Sequence, residues 1–189
     1  MATANLFPVS VDSSGADWTN VGGSNAHASL ADDETSNYIK STSAGKYNTF
    51  GMDNFGEDFT SITSIKIVIK ARETSRGGAY TIDTKILNAG GSTLYEEDFS
   101  ADANVNYNTN NGTARTTSDG SSAWTDSDLD GIQIKLTGQA VTSDTRITYA
   151  YIEVTYATGY ANEISGVAPA NIDEVNGVAT ANIDEVIGS

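Results

Sequence analysis

The chain has 189 residues, with 10 Lys+Arg against 25 Asp+Glu, a formal net charge of −15 and no cysteine. The charge argues against direct binding of nucleic acid, which needs a positive surface to displace phosphate counterions, and against anionic membranes. The missing cysteine excludes disulfides, thiolate zinc sites and thiol nucleophiles together, and neither a signal-peptide pattern nor an apolar run of about 18 residues is present.

Strand signals dominate from Leu6 to Tyr156. Leu6–Val11, Tyr38–Ser41 and Tyr47–Met52 are the first candidates, and the polar stretch from Ala28 to Ser36 between them lacks a 3.6-residue period and reads as loop. From Ser64 to Ala71 the alternation puts Ile65, Ile67, Ile69 and Ala71 on one face, with Val68 making the other face partly apolar. Tyr80 to Ile86 alternates as cleanly. The glycines between Ser75 and Ala79 predict a hairpin that pairs these two strands. Thr93 to Phe99 is a weaker strand, Ala114–Thr117 a poor one, and Gly131–Leu136 and Thr145–Tyr156 read as core strands. The Asn-, Ser- and Gly-rich segment from Ala101 to Trp124 predicts an exposed excursion. The total predicts an all-β, antiparallel two-sheet sandwich.

After Tyr156 the composition changes and an eleven-residue repeat begins, dividing the chain into a sandwich over residues 1–157 and an arm over 158–189. Ile164, Val175 and Val186 are equivalent, as are Val167 and Val178, Ile172 and Ile183, and Gly166, Gly177 and Gly188. An eleven-residue period fits a continuous supercoiled helix, but the glycines and Pro169 oppose one. Short helical turns fit better, with Asn171 or Asn182 as N-cap and Gly177 or Gly188 at the left-handed end. Turns this short are unstable alone. Ile164, Val167, Ile172, Val175, Val178, Ile183 and Val186 are therefore expected to bind a partner surface; a polar tail without fixed structure is the alternative.

Chemistry-bearing motifs are few. Asp126, Asp128 and Asp130 begin a calcium-loop pattern, but Thr137 stands where the bidentate Glu belongs, so an acidic turn is the favoured reading. His27, the sole histidine, has no triad-like neighbours and is expected at the surface or in a cap. Acid pairs such as Glu96-Glu97 and Asp32-Asp33 arise by chance in so acidic a chain. Trp18 and Trp124, with Tyr38, Tyr95 and Tyr107, are the residues able to stack on a glycan, although core packing is the commoner fate of tryptophan. No cofactor motif occurs.

Several stretches together are similar to one family. They are Trp18 followed by Asp32 to Ile39, Ser61 to Ile67, Ser122 to Ile134, the closing Tyr151 to Tyr156, and the arm's Val175 to Ile183. They resemble the jelly-roll virion proteins of tailed bacteriophages, cyanophages among them. The resemblance implies a jelly-roll sandwich and a non-enzymatic capsid decoration (cement) protein. Such a protein would be made in the host cytoplasm and sit on the capsid exterior, bound to the major capsid protein or another virion protein, as a dimer or trimer. A carbohydrate-binding module of a tail or fibre protein is the other reading.

Overall fold

The fold is that of a computed structural model, which describes residues 1–14, 18–74, 80–101, 106–139, 144–158, 174–175 and 178–179. Strands β1 (Ala2–Leu6), β2 (Pro8–Ser14), β3 (Thr19–Val21), β4 (Tyr38–Ser41), β5 (Lys46–Met52), β6 (Ser61–Glu73) and β7 (Tyr80–Leu87) come first. They are followed by β8 (Thr93–Ala101), β9 (Asn108–Asn111), a one-turn helix α1 (Asp126–Leu129), β10 (Gln133–Gly138) and β11 (Thr145–Ala157).

The eight strands from β4 to β11 form an antiparallel ribbon in which β4 pairs with β11, β5 with β10, β6 with β9 and β7 with β8. Rolling that ribbon also pairs β6 with β11 and β7 with β10. The result is two facing sheets, β4-β11-β6-β9 and β5-β10-β7-β8, which is the jelly-roll arrangement. β3 and β1 extend the first sheet and β2 extends the second.

Period-two alternation builds the core. Ile65, Ile67, Ile69 and Ala71 of β6 face inward with Ile147, Ala150, Ile152 and Val154 of β11; Phe50, Ile82, Ile86, Ile134 and Leu136 close over them from the other sheet, all fully buried. The inward set of β11 changes parity at a bulge between Ile147 and Tyr149. There the Thr148 hydroxyl turns to the Glu34 and Asn37 carbonyls, at 2.5 and 2.7 Å. The loop before β4 is thereby tied to the sheet, and Leu30, in a 3-10 turn at Ala28–Leu30, enters the core.

Four expectations need correction. The predicted hairpin between Ser64–Ala71 and Tyr80–Ile86 does not form, since β6 and β7 lie in opposite sheets. Alternation fixes which side of each strand is buried but not its partner, and a six-residue connection with two glycines can span the roughly 10 Å between sheets as well as turn a hairpin. The single strand over Leu6–Val11 is two: Phe7 separates β1 from β2, and they join different sheets. Pro8, with no N–H for the ladder, begins β2 on a sheet edge.

The excursion from Ala101 to Trp124 contains the edge strand β9 on β6 and a backbone bridge between Arg115 and Ile65. Asparagine is a poor strand former, but an edge strand needs only its backbone groups to pair. In the arm, Glu174–Val175 (β12) and Val178–Ala179 (β13) are paired antiparallel, not helical. The two residues between them, Asn176 and Gly177, are the strongest short hairpin signal and outweigh the capping pattern. Ile164, Val167, Ile172, Ile183 and Val186 lie outside the described residues.

Gly112, where the chain leaves β9, is held against Ile67 by a backbone hydrogen bond of 2.8 Å. A Cβ there would stand 2.5 Å from Glu97 Oε2 and 2.8 Å from the Ile67 carbonyl oxygen. Gly112→Ala should cost about 1–3 kcal/mol, because a backbone atom cannot move aside as a side chain does. A fall in the urea midpoint with an unchanged slope is the expected observation.

Candidate functional site

Trp18 is 7% exposed and its indole N–H donates to the Lys46 carbonyl at 3.0 Å; Trp124 is 4% exposed and donates to the Arg115 carbonyl at 2.8 Å. Both are core members. Neither offers a face to a sugar, so the glycan-stacking expectation for them is corrected. Tyr95 is likewise buried. The order of fates follows from size: a large ring with one polar tip is stable inside once that tip finds a carbonyl.

Asp126, Asp128 and Asp130 form a capped turn. Asp128 accepts from the Thr125 backbone N–H and hydroxyl at 2.9 and 2.8 Å, closing a capping box on α1. Asp130 is the residue that ends the helix. Among the described residues, no three acidic or histidine side chains converge as a metal site would require. His27 precedes the 3-10 turn, but the capping acceptor is Asn25, whose Oδ1 takes the Ala28 N–H at 2.9 Å.

The acid pair Glu96-Glu97 is divided by the pleat. Glu96 points outward to Lys85 at 2.7 Å. With Asp83 and Asp98 these line an open trough of about 410 Å³. Burial raises the Asp83 carboxyl above its ordinary value, Lys85 opposing and Asp98 and Glu96 reinforcing. Glu97 turns the other way. It accepts from the Tyr95 hydroxyl and from the Thr113 N–H and hydroxyl at 2.9 and 2.7 Å. Arg115, over the Tyr95 ring at 4.7 Å, adds its charge nearby. Glu97 thus latches the segment after β9 onto β8.

The richest surface is the outward face of β4-β11-β6-β9. In one row across the strands, Lys40 pairs with Arg146 and Arg146 with Arg72. Arg146 lies 4.7 Å over the Tyr38 ring and Arg72 4.7 Å over Tyr107. Asp144 meets Lys40 at 3.3 Å and Arg146 at 3.1 Å. Burial pushes the Tyr107 hydroxyl up, against the pull of Arg72 and Arg146.

Further along the same face Lys70 pairs with Asp33 at 2.7 Å and Lys66 with Glu153 at 2.9 Å. Phe7, Tyr149 and Tyr151 form a half-buried aromatic group with centroids 5.2–5.7 Å apart. Val68, outward by parity, is 1% exposed beside Tyr151. Five of the chain's 10 Lys+Arg therefore share one sheet face.

The structure brings Tyr38 and Tyr107 together on this face, as the sequence had grouped them, but with arginines and without the tryptophans. Arg72, Arg146, Phe7, Tyr149 and Tyr151 were missed. Part of that signal was present in the polar parity of the two strands best defined in the sequence, Lys66, Lys70 and Arg72 on one and Tyr149 and Tyr151 on the other, whereas Arg146 is out of step with those tyrosines until the bulge re-phases the strand.

No protein-family model and no curated protein matches the chain. Among solved structures, an arabinose-bound α-L-arabinofuranosidase is similar over 80% of this chain and 26% of its own, at 9% identity and a TM-score of 0.47. The CBM22-1 xylan-binding domain of Xyn10C from Paenibacillus barcinonensis is similar over 83% and 95%, at 8% identity and 0.42. A family 35 carbohydrate binding module from an environmental isolate is similar over 87% and 96%, at 16% and 0.40. This chain thus spans about a quarter of the arabinofuranosidase and nearly the whole of the two modules. The class of protein that the strand order defines is an all-β, two-sheet jelly-roll domain.

Proposed function

We propose that the protein is a non-enzymatic virion component, a capsid decoration protein whose arm docks on the major capsid protein or another virion protein while the sandwich stands on the shell exterior. The observation that carries this reading is that the jelly roll is closed by β11, which ends at Ala157, with its inner face filled by its own residues. The repeat follows that last strand in the sequence. Among the described residues of the arm, two strands of two residues, joined by Glu174–Ala179 and Val175–Val178, are far below what water supports by itself. A partner surface supplies the missing burial, through the repeat's isoleucines and valines or by strand addition.

Deleting residues 160–189 should leave a domain with an unchanged melting curve that no longer sediments with phage shells. Undiminished sedimentation of that truncation would remove the arm's docking role. Light scattering of the intact chain distinguishes a monomer from the dimer or trimer expected of a symmetric decoration.

A second reading, a carbohydrate-binding module, is favoured by one observation: the half-buried rings of Phe7, Tyr149 and Tyr151 lie beside hydrogen-bonding cations on a single sheet face. Its stacking residues are then these rings and not Trp18 or Trp124. The two readings are compatible, since the arm and the sheet face are different surfaces.

A further inference from the structure

We infer that the outward face of β4-β11-β6-β9 binds a neutral polysaccharide with equatorial hydroxyls, its sugar rings lying on Phe7, Tyr149 and Tyr151 between the ion pairs Lys66–Glu153 and Lys70–Asp33. This rests on the carbohydrate-binding reading and specifies its ligand.

Register lays the face out in rows. Phe7 follows Leu6, the last residue of β1 paired with β11, and its ring stands 5.6 Å from that of Tyr151. Tyr151 pairs with Val68, and Val68 with Asn111. This largely apolar row thus crosses from β1 to β9, a distance of about 14 Å at the usual strand spacing. To one side, about 7 Å along the strands, Glu153 pairs with Lys66 and with Asn5. To the other, Tyr149 pairs with Lys70 and Lys70 with Thr109, and Asp33 reaches Lys70 from the loop before β4. An apolar strip edged on both sides by polar groups matches a sugar ring whose hydroxyls are all equatorial, because such a ring keeps C–H bonds on its faces and hydroxyls around its rim.

The charges disfavour an ionic ligand. Each edge holds one cation and one acid, 2.9 Å apart for Lys66 and Glu153 and 2.7 Å apart for Lys70 and Asp33. A charged group would have to break an existing pair. A hydroxyl would not, since it both donates and accepts: an ammonium has three N–H groups and a carboxylate two oxygens, so a pair made through one of each keeps capacity to spare. These four side chains are 23–48% exposed, which leaves that capacity within reach of solvent. Burial holds the Tyr149 and Tyr151 hydroxyls above their ordinary value, Tyr151 and Asp33 reinforcing at the first, Glu153 reinforcing and Lys66 opposing at the second. Both phenols therefore stay protonated and able to donate.

A protein partner fits less well. The strongly exposed large hydrophobics among the described residues are Met1, Val9 and Val11, none of them in this strip, and three half-buried rings offer far less than the roughly 800 Å² per partner of a stable interface. The rings are tilted 44–63° to one another, which suits a single twisted chain and not a flat crystalline surface.

The test is calorimetric titration of the full chain with cellohexaose, whose hydroxyls are all equatorial, with a β-linked mannohexaose, which has one axial hydroxyl per ring, and with a uronate oligosaccharide. Tightest binding of cellohexaose is expected, little changed by salt because the ligand is uncharged, and weakened about tenfold or more in Tyr151→Ala. Glu153→Gln and Asp33→Asn, which keep size and remove charge at the surface, should each weaken it less, and they serve if Tyr151→Ala does not fold. Lys135→Gln, on the opposite sheet, should change nothing.

Cellohexaose that binds equally well to Tyr151→Ala, Glu153→Gln and Asp33→Asn would overturn the site and keep the carbohydrate reading. Equal or tighter binding of the mannose or uronate sugar would overturn the ligand class, whereas binding of no sugar would remove the proposal and that reading together. Dimerisation of the intact chain that is lost in Tyr151→Ala would overturn the proposal in favour of an interface between copies.

Discussion

Trp124→Ala should lower the unfolding free energy by about 3–5 kcal/mol, the range for removing a large buried aromatic. The ring is a core member, and its N–H holds the Arg115 carbonyl. The Arg115 backbone in turn pairs with Ile65 through hydrogen bonds of 2.8 and 2.9 Å. Removing the indole leaves a cavity and frees the chain segment that ties the excursion after β9 to the centre of β6. Urea denaturation should show the loss directly, as a lower midpoint. A substitution at a sugar-stacking tryptophan would instead leave stability within about 0.5 kcal/mol and abolish binding. Stability unchanged in Trp124→Ala would return the ring to the surface.

The Glu97 latch is expected to have the second largest effect. Glu97→Ala removes the acceptor for the Tyr95 hydroxyl and for both Thr113 donors, and leaves Arg115 without its nearby acid. Because Glu97 is half-exposed and water replaces part of what it provides, the expected cost is about 2–3 kcal/mol. Glu97→Gln, which keeps an acceptor, should cost less.

The same residue sets a pH signature. Burial alone would raise the Glu97 carboxyl, but the Tyr95 hydroxyl, the Thr113 donors and the Arg115 charge together lower it below its ordinary 4.5. A carboxyl lowered in the folded state contributes stability that is full above its unfolded value and is lost as pH falls through the folded one. Asp144 is lowered too: burial opposes, while hydrogen bonds from Arg146 and Lys40 prevail. At the other end, burial and the hydrogen bond to Glu97 push the Tyr95 hydroxyl up to about 12. Its contribution is full below the ordinary value of 10 and is lost as pH rises towards 12. Denaturant midpoints across pH should fall below about 4.5 and above about 10, and Glu97→Gln should flatten both limbs. A wild-type acid limb that Glu97→Gln leaves unchanged would show that the latch carries no linked proton.

The strand interiors were legible because alternation is a local property. Ile65, Ile67, Ile69 and Ala71, and Ile132, Ile134 and Leu136, are buried as their spacing required. Tyr38–Ser41 matches β4 residue for residue. The weak strand over Thr93–Phe99 formed because β7 pairs along its length, which no property of the segment itself announced.

Side-chain chemistry was harder to place. Glu96 and Glu97 look alike in sequence, yet one faces an open trough and the other clamps a loop. Tryptophan suggests a platform by its chemistry, and the core claimed both. In the arm, the cap-like Asn and Gly pattern competed with the Asn-Gly hairpin signal, and the pairing of Val175 with Val178 decided for the hairpin.

The amino-acid sequence by itself determined an all-β sandwich, its inward faces and the point near Tyr156 where the repeat begins, because period-two burial and composition are written residue by residue. Tertiary structure alone decided that β6 and β7 part into separate sheets, that an asparagine-rich segment supplies β9, and that Lys40, Arg146 and Arg72 stand in one row. These three residues come from segments more than a hundred positions apart at the extremes. Only strand order and register, which depend on how the ribbon rolls and not on any local preference, bring them together.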